Sequence, residues 1–465
     1  MRTQRYHAHL VQVGDEVRSE VDVVVTDGRI AAIEAGRHPQ ALDLGAVALV
    51  PGLVNTHSHA FQRILRGRTE YLHADHPTED FWSWRDLMYR AALRLDAAAI
   101  EAVSRMAFLE MVLSGTTTVG EFHYLQNRPD GTWDPEDPLA DRVIRAARGV
   151  GLRIALLRVA YARGGFQRPI AAGQRRFIEP DVATFLKRFN DLRDRWRGDD
   201  AVTFGLAPHS IRALPAEWLR ALAEVAQAEG LPLHIHACEQ RGELAEARAE
   251  YGVEPIAALD GLGILGPHTT LVHGTHLEDD ALARIAERGC TVCACPTTEA
   301  NLGDGFLPAT TLLAARVPIA LGSDSQATLD PWQEARRVEE HARLQAERRS
   351  VLAHQYLQWF PAGAGAHRPV ADLLWPMLTT HGARALGLPV GRIAVGAPAD
   401  FVALDLDAPA LAGADAGNLL SHLVFSATPG CVKHVWVGGA WVVRDGRHPD
   451  QAATVARFRE VMAGL

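Results

Sequence analysis

The chain has 465 residues, of which 48% are hydrophobic and 22% are charged, and its formal net charge at pH 7 is −9. This composition excludes a disordered or fibrous protein, and the negative charge gives no basis for binding nucleic acid or an anionic membrane. No apolar run approaches the roughly 20 residues that span a bilayer, and the first residues lack the apolar core of a signal peptide. We therefore expect a cytoplasmic globular protein.

Both ends of the sequence are rich in short strands. Residues 7–50 alternate apolar and polar positions around Asp27-Gly28, which indicates a hairpin. Similar patterns return near the C-terminal end, before a stretch that is typical of a helix. The sequence predicts a small composite β-sandwich domain from residues 1–50 and 386–450, a central domain of residues 51–385 and a C-terminal helix of residues 451–465.

Apolar, β-branched runs alternate with helical segments between these two ends. The candidate strands are VALVPGLVNTH, TTTVGEFHY, GLRIALLRVAY, AVTFGLAPH, LPLHIHACE, TTLVHGTH, GCTVCACPTT and VPIALGSD. The helix between the first two has Asp96 as its N-cap and Gly115 just past its end. Eight strands, each followed by a helix, predict a (β/α)8 barrel of the TIM type.

Residues that bind metals or protons stand at the ends of five of these strands. They are His57 and His59 on the first, His209 on the fourth, His236 with Glu239 on the fifth, His273 on the sixth and Asp324 on the eighth. The carboxyl ends of barrel strands meet at one face, so these distant residues should converge. One such histidine is more often a core residue than a ligand, but packing does not explain the whole set.

The spacing of these residues favours a catalytic metal site. His57 and His59 are two apart on a strand, so both rings point to the same side. Two imidazoles there, a third from His236 and an oxygen from Asp324 suit one divalent ion, with Zn²⁺ expected first and Fe²⁺ as the alternative. Glu239 and His273 are then the candidates for moving protons.

The chain also carries the motif strings PGLVNTHSHAF, HIHACEQ, LVHGTH, LGSDSQ and GRIAVGAPADFVALD. Together they resemble the amidohydrolase superfamily over essentially the whole chain, and within it the mononuclear deaminase branch. Binuclear members commonly bridge two metals with a carboxylated lysine on the fourth strand. The two lysines here, Lys187 and Lys433, are not on that strand, so we expect one metal ion.

Further strings narrow the resemblance, namely HSHAFQR, FWSWRDLMYR, GEFHY, APHSIR and CPTTEANLGDG. They are similar to the formiminoglutamate deiminases of histidine degradation, which implies hydrolysis of N-formimino-L-glutamate to N-formyl-L-glutamate and ammonia. The resemblance implies the metal ligands His57, His59, His236 and Asp324, the catalytic residues Glu239, His273 and Asp324, and the substrate-binding residues Gln62, Arg85, Tyr124, His209 and Arg212.

The two arginines fit a substrate with two carboxylates. Arginine binds a carboxylate in a bidentate manner, which lysine does less well. Arg212 follows a strand-end histidine by three residues, and Arg85 lies in the long segment 63–96, where a lid could close over substrate. Trp82 and Trp84 in that segment are expected to pack rather than to stack.

Three other functions stay open. The nearest is another deaminase of the same branch, acting on guanine, adenosine-like compounds or formiminoaspartate; an aromatic pocket would favour a purine, and two convergent arginines favour a dicarboxylate. The second is ring hydrolysis like that of imidazolonepropionase, and the third is an inactive scaffold, which would have lost a ligand or Glu239. For partners, we expect a small-molecule substrate, no nucleic acid, no membrane and a homodimer.

Overall fold

The structure, a computed structural model, describes residues 3–72, 80–359 and 368–465. In chain order the strands are β1 (Thr3–Val13), β2 (Glu16–Thr26), β3 (Arg29–Ala35), β4 (Leu42–Asp43), β5 (Val47–Pro51), β6 (Leu53–Ser58), β7 (Thr116–His123), β8 (Arg153–Ala160), β9 (Val202–Pro208), β10 (Leu233–Ala237), β11 (Thr269–His273), β12 (Thr291–Ala294), β13 (Ile319–Leu321), β14 (Phe401–Asp405), β15 (Val432–Val437) and β16 (Ala440–Val443).

The helices alternate with the strands through the middle of the chain. They are α1 (Phe81–Arg94), α2 (Ala97–Leu113), α3 (Leu139–Gly149), α4 (Val182–Arg195), α5 (Ala216–Glu229), α6 (Arg241–Tyr251), α7 (Pro255–Gly261), α8 (Asp279–Arg288), α9 (Pro296–Leu302), α10 (Ala309–Ala314), α11 (Pro331–Ala346), α12 (His354–Trp359), α13 (Ala371–Leu378), α14 (Thr380–Ala385), α15 (Leu419–Ser426) and α16 (Gln451–Ala463). None of the helices in the described ranges has the length and apolar character that crossing a bilayer requires.

Strands β6 to β13 form one parallel sheet in sequence order, as a (β/α)8 barrel requires. The barrel closes where the chain just past β13 meets the end of β6: the Asp324 amide donates to His57 O, and the His59 amide donates to Asp324 O, both at 3.0 Å. Seven of the eight strands are buried at every residue, because helices cover the outside of the sheet and side chains fill the inside. The predicted barrel is confirmed.

Strands from both ends of the chain form the second sheet. Its order is β16-β15-β14-β5-β1-β2-β3, with β4 beside β1, and β14 pairs with β5 along its whole length. Tyr6, Phe401 and Trp436 pack in its core, with ring centroids 4.8–5.9 Å apart. The fold class predicted from the sequence, a barrel with a small composite β-sandwich domain, is therefore confirmed.

The stretch VALVPGLVNTH was predicted as one barrel strand, and this is wrong. It contains two strands that belong to different sheets, β5 in the small sheet and β6 in the barrel, with Gly52 between them. A Cβ at Gly52 would lie 2.1 Å from Thr117 Oγ1, so glycine is required where the chain passes from one sheet to the other. The domain boundaries and the homodimer remain predictions.

A buried ion pair connects the barrel to the small sheet. Arg153 on β8 donates from Nε and Nη2 to the two carboxylate oxygens of Asp400, at 3.0 and 3.2 Å. Asp400 Oδ1 also accepts the Gly438 amide, between β15 and β16, at 2.6 Å. Both side chains are buried, so removing one partner would leave the other charge uncompensated.

We predict that Asp400→Ala lowers the free energy of unfolding by about 3 kcal/mol, because Arg153 would stay buried without its counter-charge. Urea denaturation measures the change. The control is Lys433→Ala, which removes a partly exposed pair with Asp405 at 3.3 Å and should cost less than about 1 kcal/mol. Equal losses in the two variants would contradict a fastening role for Asp400.

Candidate active site

Four side chains converge at the carboxyl end of the barrel strands. His57 Nε2 lies 3.1 Å from His59 Nε2 and 3.2 Å from His236 Nε2. Asp324 Oδ1 lies 3.3 Å from His57 Nε2 and 3.1 Å from His59 Nε2. All four side chains are buried, and one donor atom from each lies within 4.8 Å of the others. The four predicted metal ligands therefore meet at one point.

In two of the three histidines, a hydrogen bond of Nδ1 determines that Nε2 faces the other predicted ligands. His59 Nδ1 is 2.9 Å from Phe122 O, and His236 Nδ1 is 3.0 Å from His209 O. A carbonyl oxygen only accepts hydrogen bonds, so Nδ1 carries the proton and Nε2 presents a lone pair. Burial lowers the pKa of His57 to about 3 and that of His236 well below its ordinary value, so both rings are neutral.

Lone pairs that face one another at these distances repel unless a cation lies between them, and three imidazoles with one carboxylate are a donor set that zinc and similar divalent ions accept. The residues present thus fit a divalent metal. Burial would raise the pKa of Asp324, but its interactions with His57 and His59 hold that pKa well below its usual value. Asp324 is therefore an anion that offsets part of the charge of an ion.

The site contains no lysine. Lys187 lies on α4 and Lys433 on β15, whereas the fourth barrel strand is β9. The bridging lysine carbamate of binuclear relatives is therefore excluded.

The backbone has unusual conformations at the strand ends that carry these side chains. His273 has φ +74° and Asp324 has φ +44°, in the left-handed region that residues other than glycine seldom adopt. Two residues before Asp324, a Cβ at Gly322 would lie 2.7 Å from His57 Cβ, so β13 approaches β6 only because this position is glycine. Backbone strain and close strand approach therefore both occur beside the predicted ligands.

The two predicted proton carriers lie beside the metal ligands. His273 Nε2 is 3.7 Å from Glu239 Oε1, and Glu239 Oε2 is 3.9 Å from Arg212 Nη2. Burial raises the pKa of Glu239, so this carboxyl group can hold a proton nearer to neutral pH than an exposed one. Burial would lower the pKa of His273, but the neighbouring carboxylates, above all Glu239, raise it well above its ordinary value.

The cavity in front of these groups contains every predicted substrate-binding residue. It is lined by Gln62, Arg85, Tyr124, His209 and Arg212 together with His59, His236, Glu239, His273 and Asp324, and its wall is completed by Phe81, Trp84, Met88, Tyr89, Tyr161 and Leu302. Gln62 Nε2 donates to the Tyr124 hydroxyl at 2.7 Å. The structure thus brings the predicted binding residues together with the metal ligands and the proton carriers.

The two arginines of the cavity differ in their partners. Arg212 is buried, and its Nε lies 3.6 Å from Glu243 Oε2. Arg85, on α1, forms no ion pair with any residue in the described ranges; its guanidinium lies 4.5 Å from the ring centroid of Trp82 and 5.5 Å from that of Tyr89. Aromatic rings hold a guanidinium without neutralising it, so Arg85 keeps a charge that is available to an anion.

The ring of Trp82 lies under the guanidinium groups of Arg85, at 4.5 Å, and Arg212, at 5.9 Å; that Trp82 packs rather than stacks stays a prediction. Trp84 lines the cavity. A lid was expected in segment 63–96, of which residues 73–79 lie outside the described residues.

Four buried carboxyl groups near the site were not found from the sequence: Glu121, Glu243, Glu299 and Asp304. Glu121 accepts hydrogen bonds from Ser58 Oγ at 2.6 Å and from the Ala60 amide at 2.8 Å, on either side of His59. Burial raises the pKa of Asp304 to about 9. Glu299 and Asp304 both belong to the string CPTTEANLGDG, so the available signal was the acidic residues of that string.

A parallel barrel that carries a His₃Asp donor set and a proton-holding glutamate at its strand ends defines a metal-dependent hydrolase. The model of the Amidohydrolase family matches residues 48–442, so the chain belongs to that family. Its sequence is 36% identical to formimidoylglutamate deiminase of Pseudomonas aeruginosa over 452 residues, covering 97% of this chain and 96% of that protein.

Two further proteins show how the family varies. The chain is 31% identical to 8-oxoguanine deaminase of Pseudomonas aeruginosa over 453 residues, covering 95% of this chain and 94% of that protein. A crystal structure of an adenosine deaminase from Xanthomonas campestris with bound zinc matches with a TM-score of 0.81 and 25% identity, covering 99% of this chain and 98% of that one. The protein is a metal-dependent hydrolytic deaminase.

We predict that the protein binds one divalent ion, and that Asp324→Ala or His236→Ala weakens metal binding by more than about 100-fold, a larger loss than changes outside the ligand shell cause. Metal content after dialysis against a dilute chelator measures this. The control is His234→Gln, because His234 is buried on the same strand but directs Nε2 to Ala385 O at 2.9 Å. Equal metal loss in the control would mean that the four residues are not the ligands.

Proposed function

We propose that the protein hydrolyses N-formimino-L-glutamate to N-formyl-L-glutamate and ammonia, with Zn²⁺ as the metal ion. The observation that carries this choice of substrate is the guanidinium of Arg85, which forms no ion pair within the described ranges and lines the same cavity as Arg212 and the metal ligands. The identity of 36% with a formimidoylglutamate deiminase over nearly the whole chain supports it as well.

The charges of the cavity match the two ends of this substrate. Its carboxylates need fixed positive groups, and arginine supplies them with bidentate geometry. Its protonated formimino group is a cation, which the carboxyl groups of Glu239 and Asp324 favour. Gln62 and Tyr124, joined by a hydrogen bond of 2.7 Å, add neutral polar groups between the two charged ends.

The residues around the metal ligands supply the proton transfers. When bound, a divalent ion provides a Lewis acid that makes water nucleophilic at neutral pH. As water adds to the formimino carbon, one of its protons passes to His273, assisted by Asp324, and His273 later gives this proton to the departing ammonia. Glu239 protonates the nitrogen, the C–N bond breaks and ammonia leaves, and the last O–H proton returns to Glu239 as the formyl C=O forms.

A purine deaminase is the second candidate, and the aromatic wall of the cavity favours it. Phe81, Trp84, Tyr124 and Tyr161 offer flat apolar surfaces against which a base would pack. A neutral purine would leave Arg85 without a counter-ion, whereas a dicarboxylate would not. We therefore place the formimino amino acid first.

The deciding experiment is an ammonia-release assay of the metal-loaded protein with formiminoglutamate, formiminoaspartate, guanine, 8-oxoguanine and adenosine. We expect ammonia from formiminoglutamate and none from the purines. Ammonia from a purine and not from either formimino compound would overturn the substrate while leaving the deaminase class intact.

We predict that Glu239→Gln lowers kcat by about 10²–10⁴-fold and leaves metal content unchanged, because the amide keeps the size of the side chain but cannot donate the acidic proton. Steady-state kinetics and metal analysis of the same preparation measure both quantities. The control is Glu246→Gln on α6, whose carboxylate pairs with Arg168 away from the cavity. Unchanged kcat in Glu239→Gln would remove Glu239 from its assigned role.

We predict that Arg85→Gln raises KM for formiminoglutamate by about 10–100-fold with a smaller effect on kcat, as expected when a charge-assisted hydrogen bond to bound substrate is lost. The matched control is Arg90→Gln, an exposed arginine of the same helix. A KM that stays at the wild-type value would show that Arg85 does not bind the carboxylates.

A further inference from the structure

His273 lies between two carboxyl groups, one on each ring nitrogen. Its Nε2 is 3.7 Å from Glu239 Oε1, on the cavity side, and its Nδ1 is 3.5 Å from Glu299 Oε1, behind the cavity. Both are ion-pair distances, and Nδ1 forms no hydrogen bond with any other group in the described ranges. The residue ends β11 with φ +74° and is buried. The backbone therefore presents the ring at a fixed place, but the backbone does not decide which nitrogen carries the proton.

Glu299 has a second role that accounts for only part of its placement. It lies in the first turn of α9, where its Oε1 accepts the Cys295 amide at 2.8 Å and so caps the helix. A glutamine would do this equally well, because the capping interaction needs an acceptor and no charge. A buried carboxylate costs free energy unless a cation accompanies it.

The surroundings of Glu299 offer one group that can offset its charge by donating a proton toward it, the imidazole of His273. Glu299 is 1% exposed, and its Oε2 accepts no hydrogen bond in the part of the chain that the structure describes. No arginine or lysine of the described ranges forms an ion pair with it, whereas His273 does. The charge of Glu299, as distinct from its capping role, is therefore directed at the imidazole of His273.

We propose that Glu299 is a positioning residue, which holds the proton of His273 on Nδ1 and so turns the Nε2 lone pair toward Glu239 and the substrate. This inference rests on the function proposed above and on the role of His273 in it. A carboxylate behind a histidine commonly fixes its tautomer and orientation in this way.

The variant Glu299→Gln separates the two roles of this side chain, because it keeps the cap and removes the charge. We expect kcat to fall about 10–100-fold, the usual cost of losing an outer carboxylate partner, while KM, metal content and Tm stay near the wild-type values. If capping were the whole role, kcat of this variant would equal that of the wild type, and the proposal would be overturned.

The matched control is Glu334→Gln. Glu334 is also a buried glutamate, and it accepts the Thr297 amide at 2.9 Å in the same turn of α9, but no contact joins it to His273 among the described ion pairs. Its kcat should stay near wild type. Equal loss in both variants would attribute the effect to local packing and contradict the proposal.

Two further measurements separate this inference from the proposed function. His273→Asn should abolish turnover; if it does not, the role of His273 fails. In ¹⁵N-histidine-labelled, metal-loaded protein, the imidazole signals that vanish in His273→Asn belong to His273. They should report a proton on Nδ1 in the wild type and a different protonation pattern in Glu299→Gln. This readout needs no substrate, and identical patterns in the two proteins would overturn the proposal even if formiminoglutamate is not turned over.

Discussion

Buried electron-donor atoms repel one another at short distance unless a cation lies between them. At the carboxyl end of this barrel, three imidazole nitrogens and one carboxylate oxygen lie at such distances. The neighbouring donor atoms lie 3.1–3.3 Å apart. The Nδ1 atoms of His59 and His236 are already committed to main-chain carbonyls, so the rings cannot turn away. The closure of the barrel between His57 and Asp324 and the glycine at position 322 both serve this one cluster.

Around the cluster, buried acidic and basic side chains alternate across the site. The order is Glu243, Arg212, Glu239, His273 and Glu299, with successive separations of 3.6, 3.9, 3.7 and 3.5 Å. Each of these groups is influenced by its neighbours, so the protonation of Glu239 and His273 depends in part on Glu243 and Glu299, which do not line the cavity. Arg85 stands outside this series, which is why it is the arginine most available to a ligand.

The sequence predicted those site residues that lie at or next to the carboxyl ends of the barrel strands. The alternation of eight strands with helices predicted the barrel. Ligand-type residues at the ends of five of these strands predicted the metal ligands and Glu239, since parallel strands bring their carboxyl ends together. Glu243, Glu299 and Asp304 escaped prediction because they lie on helices and loops after the strands, where sequence spacing does not say which way a side chain points. The division of VALVPGLVNTH between two sheets was not predicted, because a continuous apolar run does not show where the chain passes from one sheet to another. Gly52 lies at that point, but the reason for a glycine there, the close approach of Thr117, is visible only in the structure.

We expect His57, His59, His236 and Asp324 to share one divalent ion. Anomalous diffraction from crystals of the zinc-loaded protein, recorded on both sides of the zinc absorption edge, locates such an ion. We expect a single peak about 2.1 Å from three imidazole Nε2 atoms and one Asp324 oxygen. A peak elsewhere in the molecule, or crystals of active protein with no anomalous peak among these four side chains, would contradict it.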